Sequence, residues 1–519
     1  MYKLYKHQQD MKEPMSNRKN IFLVAPCGSG KTLAVVYNWL MERPTKHLIY
    51  VLPTQTLLKS IEKDVKKILL DLGFKHVLLE EKSFDNSKQI CTATDYGERR
   101  ETTLYAHDII FTTLDSYISR LYRSALTPMR YRDLPIARIF NSTTVFDEAH
   151  MYDSYTHTLM KYTLRLLRGG DSNSQVSAHH IVMTATMNNK MVKFLELDKE
   201  IYLKIKVEDK MWMSFVGQKV VSEVISYNTP ADFVERVKNL IEQKDIKKAI
   251  VVCNTVEKAQ KIYDSIKGSM NALLLHSRYK PYDREKKENN ITNFLSNENG
   301  IIVSTQVLEA GINISTPNLI TEVAPGDSLV QRIGRCARWK NEEGQIYLLY
   351  SNKEKPHPYN FEVEPIIEMF NKCSNSEYNY DLEKQLIESV VPPELAGEKE
   401  SKARGIILGA FESLSAFGDT WINVPTRDTT PVYLYLGLGK DVNKDKYIIN
   451  NSIRVDTRFL RSISKDYSDF KFYEKEYDRD DKELKLREIL NPNAWSFAVP
   501  KPKIPNIVEY DEEVGVKKI

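Results

Sequence analysis

Eight residues near the amino terminus carry the sharpest chemical signal in the chain: Ala25-Pro26-Cys27-Gly28-Ser29-Gly30-Lys31-Thr32. They follow the apolar run at 21–25 (IFLVA) and open into LAVVYNWLM, so strand, loop and helix come in the order that a phosphate-binding loop requires. Loop N–H groups and the helix N-terminus cradle the phosphates of a nucleotide. Pro26, Cys27, Gly28, Ser29 and Gly30 form that cradle, Lys31 reaches the β- and γ-phosphates, and Thr32 offers its hydroxyl to Mg²⁺. Ala25 stands where such loops usually start with glycine.

Two further strings complete a site for phosphoryl chemistry. Asp147-Glu148-Ala149-His150 follows the apolar run TTVF. A strand-end Asp147 suits Mg²⁺, and the adjacent Glu148 suits the polarising of an attacking water. Gln331-Arg332-Ile333-Gly334-Arg335-Cys336-Ala337-Arg338 places Arg335 and Arg338 three apart, the spacing of one helix face. From a second lobe they could reach the γ-phosphate and stabilise the charge that develops there, with Gln331 leading the string.

Positioning these groups takes two parallel sheets. Runs at 47–53, 108–113, 143–149 and 180–186 read as buried strands separated by longer stretches, which predicts strands joined by crossover helices. A second series follows at 249–255, 272–276, 300–306, 319–325 and 344–351. The class expected is α/β: one domain over 1–210, a second over 211–355, and a smaller mixed α/β accessory domain over 356–519 that ends in a loosely held, charge-dense tail. The join falls in 200–218, which lacks a clear period.

Bulk properties set the limits. In 519 residues, 74 basic side chains nearly balance 70 acidic ones, so nucleic-acid contacts must come from local clusters. No run of apolar residues is long enough to span a membrane. The five cysteines, at 27, 91, 253, 336 and 373, have no metal-site spacing. His179-His180 precede a buried strand and read as core or surface residues, and Cys27 as a small filler of its loop.

These strings resemble those of the superfamily 2 DExH helicases over residues 1 to about 355, which implies two tandem RecA-like domains with ATP and Mg²⁺ between them. Tyr5-Lys6-His7-Gln8 is similar to the adenine-reading Q motif, with Gln8 at the base. Pro53-Thr54-Gln55-Thr56-Leu57 and Thr112-Thr113-Leu114-Asp115 resemble motifs Ia and Ib, which touch the nucleic-acid backbone in the family. Thr184-Ala185-Thr186 resembles motif III, and Asn254-Thr255 motif IV. Residues 304–313, containing Thr305, Gln306 and Gly311, resemble motif V, with Gly311 at the nucleotide. Leu275-His276-Ser277-Arg278 and the TQVxE core of motif V are similar to strings of the type I CRISPR helicase–nuclease, with Ser277 and Arg278 on the nucleic acid. Asn313 stands where that family usually has Asp.

The resemblance implies a 3′-to-5′ translocase on single-stranded DNA, in a prokaryotic cytoplasm, loaded by an RNA-guided surveillance complex. The HD nuclease domain of the full-length enzyme needs several His and Asp ligands. The phosphate loop begins at residue 25, and after His276 only His357 remains. The expectation is therefore a helicase half whose nuclease is a separate subunit. The one literal pair, His107-Asp108, opens a strand and reads as structural. An RNA or repair helicase, and a scaffolding subunit with residual ATPase, are the competing readings.

Overall fold

The computed structural model describes residues 3–26, 28–83, 87–96, 99–102, 104–122, 133–152, 154–169, 178–185, 187–207, 215–297, 299–309, 312–359, 361–389, 405, 431–436, 448, 450–464, 467–478, 483–490, 496–500 and 508–518. Cys27, Thr186 and Gly311 lie outside these residues, as do the join expected at 210 and the helical run AFESLSAF.

The first lobe is built on eight strands: β1 (Asn20–Val24), β2 (His47–Leu52), β3 (Thr92–Tyr96), β4 (Arg99–Arg100), β5 (Ile109–Thr113), β6 (Ser142–Phe146), β7 (His179–Thr184) and β8 (Tyr202–Lys206). They lie in the order β8-β1-β7-β6-β2-β5-β3-β4, all parallel except β4. The central strands are buried along their whole length, and cores fill both faces, around Trp39 and Leu58 on one side and Tyr117 and Leu159 on the other. Continuous apolar runs are what a sheet covered on both faces requires. Strand β8 lies at the edge, with Tyr202 and Ile205 buried and Leu203, Lys204 and Lys206 exposed, and this is why its run carries no continuous apolar signal.

The second lobe repeats the plan with β9 (Gln218–Tyr227), β10 (Lys248–Val252), β11 (Ala272–Leu275), β12 (Gly300–Ser304), β13 (Asn318–Glu322), β14 (Glu343–Ser351) and β15 (Ser376–Glu377), ordered β11-β12-β10-β13-β14-β9-β15. This lobe runs past the boundary expected at 355. Strand β15 pairs with β9, and Ile366, Phe370, Leu382 and Leu386 of the helices Glu364–Lys372 and Tyr380–Ser389 enter the lobe's core. Gly326 admits the second of these helices: a Cβ there would sit 1.8 Å from the Leu386 carbonyl oxygen.

The accessory domain is a mixed sheet of β16 (Pro431–Tyr435), β17 (Ser452–Asp456), β18 (Phe470–Asp478), β19 (Glu483–Ile489) and β20 (Phe497–Pro500), ordered β17-β16-β20-β18-β19. The expected loose tail is instead a hairpin, β21 (Val508–Asp511) with β22 (Gly515–Lys518), docked on the second lobe. Asp511, Glu512 and Glu513 are exposed, and the hairpin is held by the carbonyls of Glu513, Val514 and Val516, by Tyr510 on Asp283 and by Lys517 on Asp264.

Candidate active site

Strands β1, β7 and β6 are neighbours, so their carboxyl ends bring residues 25–32, Thr184-Ala185 and residues 147–150 together. Gly28 and Gly30 take left-handed conformations (φ +83° and +79°), and Gly30 caps the helix Lys31–Glu42. Any side chain at Gly30 would be strained and would strike Gln8 Nε2, 2.5 Å from the Cβ position.

Gln8 donates from Nε2 to the carbonyls of Ser29 (3.3 Å) and Gly30 (3.1 Å), and His7 Nε2 donates to Ser29 O at 3.0 Å. Gln8 therefore holds the loop's shape directly. The sequence expectation placed it only at the base.

Lys31 Nζ lies 3.2 Å from Ala25 O and 3.5 Å from Glu148 Oε1, buried beneath the loop. Asp147 is buried at the strand end, and its Oδ1 accepts from Glu148 N at 2.8 Å. Burial, with the Glu148 charge beside it, pushes Asp147 up to about 7. Burial also opposes the Glu148 carboxylate, but the Lys31 charge, with the Ala185 N–H, outweighs it and holds Glu148 below the ordinary glutamate value. Glu148 is thus the ionised acid of the pair, the state that a proton acceptor needs. Glu148 takes a left-handed backbone (φ +50°), a strained conformation kept where the side chain must be aimed. The buried Asp147 carboxyl and the half-buried Thr32 hydroxyl are oxygen donors of the kind that Mg²⁺ takes.

His150 bridges the lobes, a role its place in the sequence did not suggest. Its Nδ1–H donates to Thr184 Oγ1 at 2.7 Å, and its Nε2 accepts from Gln331 Nε2 at 3.1 Å. Burial lowers its pKa, in keeping with a neutral ring that donates on one side and accepts on the other.

The two arginines do not share a helix face. The helix Gly326–Ile333 ends at Gly334, and Ala337 turns the chain with φ +39°. Arg335 donates to the carbonyls of Leu308 (2.9 Å) and Glu309 (2.6 Å), inside its own lobe. Arg338 lines a narrow crevice with Pro26 and Ala185 of the first lobe, and its buried Nε makes no hydrogen bond. Of the two, Arg338 faces the phosphate loop.

Among the residues expected on nucleic acid, several turn inward. Asn254 is buried, donating to Val323 O at 2.8 Å and accepting from Arg332 at 3.1 Å. Buried Thr112 donates to Asp95 O, and Gln306 donates to Asn254 O. Thr305 is buried at the start of a 3₁₀ turn, and Pro53 is buried at the end of β2. Thr54, Thr113 and Thr255 each cap the first turn of a helix leaving the carboxyl edge of a sheet, accepting from Leu57, Ser116 and Lys258 N. Ser277 is exposed, while Arg278 pairs with Glu257 at 2.6 Å.

Sequence reading missed Arg332. It is fully buried, paired with Glu309 at 2.7 Å and bonded to Asn254, Thr321 and Tyr359. Its only signal was its place between Gln331 and Arg335.

Residues 5–194 match the family described as DEAD/DEAH box helicase, and residues 245–341 match the C-terminal part of the CRISPR-associated nuclease/helicase Cas3. The chain is thus similar to DEAD/DEAH-box helicases in its first lobe and to Cas3 in its second. A putative CRISPR-associated nuclease/helicase Cas3 of Methanocaldococcus jannaschii is 29% identical over 67% of this chain and 48% of that protein. The CRISPR-associated helicase Cas3 of Thermoproteus tenax is 26% identical over 65% of this chain and 57% of its own length. The chain thus spans about half the length of the curated relatives it matches. The crystal structure of T. fusca Cas3-AMPPNP, at 15% identity, superposes with a TM-score of 0.63 over 100% of this chain and 70% of that one, a likeness of fold.

The His107-Asp108 pair of this Cas3-like chain is structural. Asp108 accepts from Cys91 N at 2.8 Å and pairs with Lys82, and the His107 carbonyl accepts from His47. His179 and His180 are core residues, bonded to Thr143 and to Tyr202. Among the described residues no helix is long and apolar enough to cross a membrane.

Proposed function

We propose that this helicase hydrolyses ATP to move 3′ to 5′ along single-stranded DNA in type I CRISPR interference. The observation that carries the reading is the chain of contacts from Lys31 through Glu148 and His150 to Gln331, which joins the phosphate loop of one lobe to the second lobe. Lys31 would hold the β- and γ-phosphates, and the ionised Glu148 would accept a proton from the attacking water. Thr32 and Asp147 would hold Mg²⁺, which when bound neutralises phosphate charge. Arg338 would meet the charge that develops at the γ-phosphate as the crevice closes. Gln331 would register that closure through His150.

Strand gripping falls to the helix N-termini capped by Thr54, Thr113 and Thr255, whose first-turn amides suit backbone phosphates. Such binding reads no bases and weakens with salt. The nuclease would act in trans, on a separate HD subunit, with an RNA-guided surveillance complex as loader. The test is ATP turnover by wild type and Lys31→Ala, titrated with single-stranded DNA and RNA. DNA-stimulated turnover in wild type alone supports the reading, whereas RNA-selective stimulation replaces it with an RNA helicase. Turnover kept by Lys31→Ala sinks it. Copurification of an HD nuclease from the native host tests the partner.

A further inference from the structure

The terminal hairpin joins two cores. In a regular strand Val514 and Val516 would share a face. Gly515 between them is left-handed (φ +75°), so Val514 enters the core of the second lobe and Val516 that of the accessory sheet. Gly515 is also the point of closest approach: a Cβ would lie 2.6 Å from the Arg278 carbonyl oxygen and 2.6 Å from His276 Cε1.

Around it the hairpin grips residues 275–278. His276 Nε2 donates to Val514 O at 2.9 Å, Val516 N donates to Arg278 O at 3.0 Å, and Gln260 Nε2 donates to the carbonyls of both valines. Tyr279 OH and Lys287 Nζ both donate to Glu513 O. On the other side the Arg278 guanidinium stacks over Phe459 of the accessory domain, 4.2 Å from the ring centroid. The loop that presents Ser277 is thus held from both sides.

We infer that Gly515 is a positioning residue for nucleic-acid engagement: through the split of Val514 and Val516 it staples the accessory sheet to the second lobe and fixes the loop that carries Ser277. The inference rests on the proposed reading of Ser277 as a strand contact. Because the staple lies away from the phosphate loop, loosening it acts on the nucleic-acid side of the cycle.

The experiment compares full-length wild type, Gly515→Ala and Gln260→Ala. ATPase is measured while single-stranded DNA is titrated, alongside limited proteolysis. In both variants the DNA concentration for half-maximal stimulation should rise, by about tenfold for Gly515→Ala and less for Gln260→Ala, while unstimulated turnover stays within about twofold. The accessory domain should be released faster by protease. A folded Gly515→Ala protein with wild-type DNA response and protease resistance overturns the inference. If Gly515→Ala does not fold, Gln260→Ala decides by the same criteria. If wild type is not stimulated by DNA at all, the strand-contact reading fails and the positioning inference with it, and unchanged proteolysis in the variants would remove the staple as well.

Discussion

The two lobes share a parallel-sheet plan but use their polar motif residues differently. In the first lobe Lys31, Glu148 and His150 stand at the cleft, bonded to one another and to the facing lobe. In the second, Asn254, Glu309, Arg332 and Arg335 bond to one another and to backbone carbonyls within the lobe. The first set is arranged for chemistry. The second builds the surface that closes on it, with Gln331 and Arg338 looking across. A motif can therefore be present for architecture as much as for contact.

The largest effects should come from the first set. Glu148→Gln keeps shape but removes the proton acceptor, and Lys31→Ala removes the buried cation. Each should cut nucleic-acid-stimulated turnover by about 100- to 10,000-fold, the range for loss of a positioned acid–base group, with little change in the melting of either lobe. Steady-state turnover with parallel melting curves checks this. A variant that melts early with normal specific turnover would erase the contrast between the lobes.

The second set should respond in the opposite way. Arg332→Met leaves Glu309 buried without its cation and Asn254 without a donor, so it should destabilise the second lobe by about 3–5 kcal/mol. Calorimetry should show that lobe's transition falling while the first lobe's stays. Adding Glu309→Gln should restore part of the loss, because the buried charge is then gone. A single variant with unchanged melting but lost turnover would move Arg332 into the chemical set.

This division explains what could be read from sequence. The central strands were legible because burial on both faces makes them continuous apolar runs, as at β2 and β12. Strands β3, β8 and β9 were not, being partly exposed or polar. Lys31, Asp147 and Glu148 were legible because phosphate chemistry fixes residue type and spacing together. The packing of Arg335 was not, since the break after Ile333 depends on contacts with residues 308–309, far off in sequence. The lobe's extension to Ser389 was hidden for the same reason: Phe370 and Leu386 are ordinary helix residues until a distant sheet covers them.

Acid should separate the lobes more gently. Burial lowers His179 to about 4 and His180 to about 3 in the first lobe, and His276 to about 3 in the second. The unfolded rings titrate at about 6.5, so below that pH the unfolded state binds more protons. The stability gained by keeping these rings neutral is complete above pH 6.5 and is lost as pH falls from there towards the folded values. By pH 5 the loss is about 2 kcal/mol for each of His180 and His276. The first lobe, with the extra neutral ring of His179, should fall further than the second between pH 7 and pH 5. His180→Gln should flatten the first lobe's slope; an unchanged slope would show that other groups govern it.

The smallest effect should come from the contact that joins the two sets. His150 donates through Nδ1 to Thr184, so its Nε2 has only a lone pair to offer, and Gln331 fills it. Gln331→Ala removes the neutral hydrogen bond to His150, worth about 1 kcal/mol, so turnover should fall by less than about tenfold. The manner of the fall is informative. If the bond serves closure on nucleotide, the loss should appear in the ATP concentration required, with melting of both lobes unchanged. Gln331→Glu is the sharper probe: its carboxylate cannot donate to a neutral ring and would have to draw a proton onto His150. That variant should therefore regain turnover as pH falls, while Gln331→Ala should not. Equal pH profiles for the two would mean that the bond is incidental to closure, and the lobes would then communicate through the Arg338 crevice instead.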